Sequence, residues 1–235
     1  MKKIVFVSLM MSDSMNKRKY PVDGNAFIEY SAEVYYAINA VLAKTMKSGD
    51  DIKVILLETK AGDKAGDKNA QLFMSELNEI NDNNGIGAKI TYEIIPSEFI
   101  TSRDKFNDLY LKLIKNFEYE AELYADITYG PKSLPLLIFT AMQFGEKFYD
   151  CSIGNVIYLK AEFLNNVEID GVIHNNVIKE GSQLICDYTP LYLLNSFTNT
   201  IESVSIAQSP RASRNVQSQK HHNKDDAAEG DEVRR

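Results

Sequence analysis

The chain is poor in the residues that usually advertise a site. Of its 235 residues none is tryptophan, two are cysteine, three are histidine and six are proline. Cys151 and Cys186 are too few and too far apart for a disulfide framework, so both are expected as small core residues in a reduced, cytoplasmic setting. His174 falls among short strands and turns, while His221 and His222 lie near the C-terminus. With no spaced carboxylate cluster beside them, neither a metal site nor a cofactor is expected. No apolar run approaches the roughly 18 residues of a membrane span. The opening Met1-Lys2-Lys3 and its short apolar stretch run straight into Ser12-Asp13-Ser14, which reads as a core strand rather than a signal peptide. Positive charge is also scarce: 26 Lys and Arg stand against 33 Asp and Glu, a net charge of −7. A broad surface for long nucleic acid is excluded, so any phosphate site has to be a local pocket.

What is present is a core and a period. Hydrophobic residues make up 44% of the chain, enough for one sizeable core. Lys3 to Leu9 is a continuous apolar run, the pattern of a strand buried on both faces. A polar loop from Ser12 to about Gly24 follows, then a helical spacing through Phe27, Tyr30, Val34, Ile38, Val41 and Leu42. Ile52–Leu57 and Ala88–Ile95 read as further strands, and Gln71–Asn81 as a helix between them. The repeat Ala61-Gly62-Asp63-Lys64, Ala65-Gly66-Asp67-Lys68 has no apolar content and is expected as a solvated loop. Ser102 caps a helix carrying Phe106, Leu109, Leu113 and Phe117, and a dense apolar helix spans Lys132 to Phe148. Val156–Leu159 is a strand, residues 165–180 suggest hairpins, Leu184–Cys186 is a last short strand, and a helix runs to about Thr198. Strands alternating with helices predict an α/β, Rossmann-like, mostly parallel sheet with helices on both faces, followed by C-terminal hairpins and a helix. This domain is expected over 1–200, with a disordered polar tail over 201–235.

The most informative stretch is Ala125-Asp126-Ile127-Thr128-Tyr129-Gly130-Pro131-Lys132-Ser133-Leu134-Pro135. A strand ends, the chain turns on a glycine, and a helix begins with a lysine and a serine at its mouth. Free N–H groups and the positive end of the helix dipole make such a turn receptive to phosphate. Gly130 permits close backbone approach, Pro131 suits a first helical position, and Lys132 adds a mobile point charge. In parallel sheets ligands bind at the carboxyl ends of the strands, where strand order reverses. If the first and fourth strands are neighbours, Ser8, Leu9, Met10, the Ser12 loop and the Gly130–Ser133 turn share one crevice.

With these residues assembled, the chain resembles the CRISPR-associated Rossmann-fold (CARF) sensor domains, whose signature runs Asp-Ile-Thr-His-Gly-x-Arg-Ser-x-Pro. Asp126 to Pro135 matches it, with Tyr129 for the histidine, Pro131 unusual, and Lys132 for the arginine. A second piece, Ile185-Cys186-Asp187-Tyr188-Thr189-Pro190-Leu191, matches the Asp-x-Thr-Pro that leads out of those domains. The resemblance covers about residues 1–200. It implies a homodimer whose two turns face each other across a two-fold axis and hold a cyclic oligoadenylate, most simply cyclic tetra-adenylate, the messenger of type III CRISPR antiviral signalling. Lys132 and the N–H groups of Gly130–Ser133 would hold phosphates. Ser8, Ser12 and Thr128 would offer hydroxyls, and Tyr129 would stack on or edge an adenine.

Two classes of function follow from the resemblance. One is a binding module whose output belongs to a separate effector protein, since no Arg-x-x-x-x-His or metal-nuclease pattern occurs. The other is a metal-independent ring nuclease, in which the ribose 2′-OH attacks the adjoining phosphate. Lys132 would then stabilise the developing charge, and Ser8 or Ser12 would position the nucleophile. A mononucleotide or dinucleotide domain outside CRISPR is a further alternative. It lacks its Gly-x-Gly-x-x-Gly fingerprint, because Ser8-Leu9-Met10-Met11-Ser12 stands after the first strand.

Overall fold

In the computed structural model, residues 1–10, 16–59, 65–97 and 102–207 are described. The chain divides into two units, Met1–Pro190 and Leu191–Arg235. Seven strands of the first unit form one sheet. They are β1 (Lys2–Ser8), β2 (Val22–Asp23), β3 (Asp51–Thr59), β4 (Lys89–Ser97), β5 (Glu122–Asp126), β6 (Ser152–Lys160) and, after four short strands, β11 (Leu184–Asp187). Their order is β2-β11-β6-β5-β1-β3-β4. All neighbours are parallel except β11, which runs antiparallel to β6.

Parallel pairing demands crossovers, and the helices supply them. α1 (Ala37–Thr45) joins β1 to β3, α2 (Ala65–Asn83) joins β3 to β4, α3 (Arg103–Ile114) joins β4 to β5, and α4 (Ser133–Tyr149) joins β5 to β6. The residue alternation of β1 divides the core between two faces. Val5, Val7 and Leu9 meet Ile38, Val41 and Leu42 of α1 and Phe73 and Leu77 of α2. The intervening Ile4 and Phe6 are equally buried, as are Leu113 of α3 and Ile138 and Met142 of α4. Phe6 lies 5.8 Å from the ring of Phe117. The chain first moves from β1 outward through β3 and β4, then returns to place β5 on the other side of β1. The order therefore reverses between β1 and β5, and these strands are neighbours as the crevice requires.

The short strands β7 (Phe163–Leu164), β8 (Val167–Ile169), β9 (Val172–His174) and β10 (Val177–Ile178) form two antiparallel ribbons, β7 with β10 and β8 with β9. α5 (Thr189–Ala207) opens at the end of the first unit and extends beyond the expected Thr198. Among the described residues no helix is long and apolar enough to cross a membrane.

Several local expectations need correction. The helical spacing beginning at Phe27 becomes a helix only at Ala37. Phe27 closes on Asn25 in a single 3-10 turn and is 90% exposed, while Val34 pairs with Arg18 in an isolated β-bridge. The second copy of the repeat, Ala65 to Lys68, is the first turn of α2 rather than loop; the first copy lies outside the described residues. Phe117 lies beyond the end of α3, although Ser102 does cap it, its Oγ accepting from Lys105 N. Residues 208–235, with His221 and His222, lie outside the described residues.

Candidate functional site

At the reversal point, β1 ends at Ser8 and β5 ends at Asp126, side by side. The chain leaves β5 through Thr128 and Tyr129, turns at Gly130 with φ +88°, and enters α4 at Ser133. Lys132 is the residue that caps α4, and it has no side-chain capping bond. Pro131 therefore stands one place before the cap rather than in the first turn, and its carbonyl accepts from Leu134 N at 2.9 Å. The N–H groups of Lys132 and Ser133 have no acceptor among the described residues, as a helix start dictates. Lys132 is exposed and makes no ion pair among them either. Unspent donors, the helix dipole and an unneutralised ammonium thus coincide at one turn.

Gly130 is required there on two counts. Its positive φ is costly for a residue with a side chain, and an added Cβ would stand 3.1 Å from Leu134 Cδ2 and 3.8 Å from both Ser8 Cβ and Thr59 Oγ1. Beneath the turn lie three buried hydroxyls at the carboxyl ends of three strands. Thr59 and Ser97 bond each other at 2.8 Å, and Ser8 Oγ has no hydrogen-bond partner among the described residues. Sequence reading found Ser8 and missed Thr59 and Ser97. Their shared property is terminal position on adjoining strands, which becomes visible only with the sheet order.

The two Asp-x-Thr pieces turn out to be a matched pair of structural staples. Asp126 Oδ1 accepts from both the N–H and the hydroxyl of Thr128, and Thr128 Oγ1 in turn accepts from Leu159 N of β6 at 2.9 Å. Asp187 Oδ1 accepts from Thr189 N at 3.0 Å, and Thr189 Oγ1 accepts from Val156 N of β6 at 2.9 Å. Each threonine thereby fastens the strand end before it to the shared neighbour β6. The Thr128 hydroxyl, expected to offer itself to a ligand, already donates and accepts within the fold. Its contribution to a site is the shape of the turn.

Asp126 is wholly buried, and its Oδ2 has no partner among the described residues. Burial pushes its pKa up to about 6, against the opposing pull of the Thr128 hydroxyl and N–H and the Ile38 N–H. Tyr129 sits on the same side. Its ring meets the Tyr36 ring edge-on at 6.3 Å, and burial together with the Asp126 carboxylate raises its hydroxyl pKa. One part of this ring therefore packs toward the core and another lines a cavity.

That cavity, about 330 Å³, adjoins the turn and is lined by Met10, Thr128, Tyr129, Gly130, Tyr158, Leu159, Ala161, Phe163, Ile178 and Gln183. Of the remaining expected residues, Met10 reaches the cavity while its carbonyl accepts from Asn69 Nδ2 at 2.6 Å. Leu9 is core, with its N–H spent on Leu57 O. Ser133 is half-buried at the first position of α4. Ser12 lies outside the described residues. Among the described residues no group of three or more His, Cys, Asp or Glu is arranged to hold a metal ion.

Compared with known protein families and with curated proteins, the chain matches none.

Proposed function

We propose that this chain is a CARF-type sensor that binds a cyclic oligoadenylate, most simply cyclic tetra-adenylate, as a homodimer. The observation that carries the reading is the meeting, at the strand-order reversal, of the Gly130 turn, the N–H groups of Lys132 and Ser133 and the Lys132 ammonium, none of which has an acceptor or ion pair among the described residues. Phosphodiester oxygens suit that arrangement, since each demands donors and none demands an acceptor. A ring of identical nucleotides suits a two-fold pair of such turns, because both partners have the same symmetry. The sequence signature from Asp126 to Pro135 supports the same class. The net charge of −7 favours a compact phosphate ligand over a long nucleic acid.

The test is incubation of the pure protein with radiolabelled cyclic tetra-adenylate, read by retention and by product analysis. An intact ring retained by the protein supports a sensor whose output passes to a partner. Linear product ending in a 2′,3′-cyclic phosphate adds ring cleavage to binding. A ring neither retained nor changed overturns the proposal.

A further inference from the structure

We infer that the ribbon between β6 and β11 is a docking arm that lies against a second copy of this chain; the inference rests on the homodimer reading above. The arm has three parts. At its base β7 pairs with β10, Phe163 opposite Ile178 and Leu164 opposite Val177. This base is tied down, since Lys179 N donates to Glu162 O at 2.9 Å and Ser182 Oγ donates to Lys179 O at 2.7 Å. At its end β8 pairs with β9 around Asp170-Gly171, whose φ angles of +50° and +78° are those of a tight hairpin turn. Between the two stands a joint made of the same dipeptide on each strand. Asn166 N donates to Asn175 Oδ1 at 2.9 Å, and Asn176 N donates to Asn165 Oδ1 at 3.1 Å. Asn166 and Asn176 both take left-handed backbone, at φ +58° and +59°, a conformation that asparagine visits more readily than most residues. The arm is therefore shaped by bonds of its own.

What it lacks is cover. Every residue from Glu162 to Asn176 is exposed except the half-buried Val167. Strands β8 and β9 pack chiefly on each other. Their register places Val167, Ile169, Val172 and His174 on one face and Glu168 and Ile173 on the other. Ile169 is 45% exposed, Val172 57% and Ile173 67%, so both faces turn large apolar side chains to water. A lone two-stranded ribbon is marginally stable in water, and clustered exposed apolar surface marks an interaction site.

Three observations select a second copy as the occupant. Phe163 and Ile178 of the base share the cavity wall with Gly130, so the arm rises at the edge where the homodimer reading brings the other chain. The chain's own residues 208–235 hold no leucine, isoleucine, methionine or aromatic residue with which to cover it. The extent also fits, because arms exchanged across a two-fold axis count twice. About a dozen residues of arm, and a like number beneath the arm of the other chain, bring each chain to the roughly 20–30 residues a side of a stable interface.

Sedimentation velocity of the full chain, without nucleotide and with excess cyclic tetra-adenylate, compares the wild type with Ile169→Thr/Ile173→Thr. Threonine keeps the branched, strand-favouring shape and removes apolar surface from both faces. Wherever the wild type pairs, the variant is expected to pair about thirtyfold more weakly, with its thermal melt unchanged. A variant that pairs within about threefold of wild type overturns the arm and leaves the homodimer standing. A wild type that stays monomeric in both conditions overturns both. Benzoylphenylalanine introduced at Val172 reads the contact directly. Photolysis of the dimer should join that position to the other chain, and linkage only within its own chain, or none, contradicts the arm.

Discussion

At the residue scale, two charged side chains have opposite fates. Lys132 is exposed and lacks an ion pair among the described residues, so its removal costs the fold little. Lys132→Ala should leave the denaturation midpoint within about 0.5 kcal/mol of wild type. The same change should weaken cyclic tetra-adenylate binding by about tenfold or more in a titration, because a charge-assisted contact is lost. Asp126 is the reverse case. Its carboxyl is buried with a pKa raised from 3.8 to about 6, so the folded state holds the proton more tightly than the unfolded chain. The resulting stabilisation is fully present below about pH 4 and is lost as pH rises through about 6. Asp126→Asn, which keeps an acceptor for Thr128, should remove that slope. Urea unfolding at pH 4.5 and 7.5 checks it: relative to wild type, the variant gains on the order of 2 kcal/mol at the higher pH.

The same residues show what a sequence can and cannot disclose. The strand, turn and helix start around Gly130 were legible because glycine, lysine and a helix start are adjacent in the chain. The fate of the Thr128 hydroxyl was not, since its acceptor bond comes from Leu159 on another strand. Lys3 reads as the edge of an apolar run, yet it is buried with its ammonium 3.4 Å from Asp50 and 3.2 Å from Glu122. No local pattern announces partners nearly 50 and 120 residues away.

At the scale of elements, α1 explains the largest misreading. The spacing from Phe27 onward is helical on paper, but the backbone before Ala37 is tied elsewhere: Val34 pairs with Arg18, and the N–H groups of Tyr35 and Tyr36 donate to a later helix. Glu76 of α2 accepts from Tyr35 N at 2.7 Å, Tyr36 N at 3.2 Å and Asn39 Nδ2 at 2.9 Å. A carboxylate from a later helix thus anchors the residues that lead into α1, whose N-cap Tyr36 makes no side-chain capping bond. Glu76→Ala strands three donors in the core and should cost roughly 2–4 kcal/mol in chemical denaturation. Helix α4 depends on a glycine for a different reason. A Cβ at Gly145 would stand 2.6 Å from the Phe117 ring, so Gly145→Ala must displace either the ring or the helix. A loss of about 1–3 kcal/mol is expected from a thermal melt analysed at constant pH.

At the scale of the whole molecule, the alternation of apolar strands and amphipathic helices was enough to foresee a mostly parallel sheet. The adjacency of β1 and β5 entered only as a condition of the shared crevice, and the strand order supplies it. The cavity was not foreseeable. Its walls come from the turn, from β6 and from the β7–β10 pair, segments that touch only after the sheet has closed over them. Gln183 in particular carries no signal in its neighbours; its place in the cavity wall is a property of the fold. The proposed pairing of two chains likewise belongs to this scale, since one turn can grip one part of a ring and symmetry supplies the other.

Native mass spectrometry with cyclic tetra-adenylate tests this account most directly. The account predicts one ring on two chains, with the complex depleted when Lys132→Ala replaces wild type. A ring carried by a single chain, or none carried at any concentration where a labelled control ligand binds its own receptor, would contradict it.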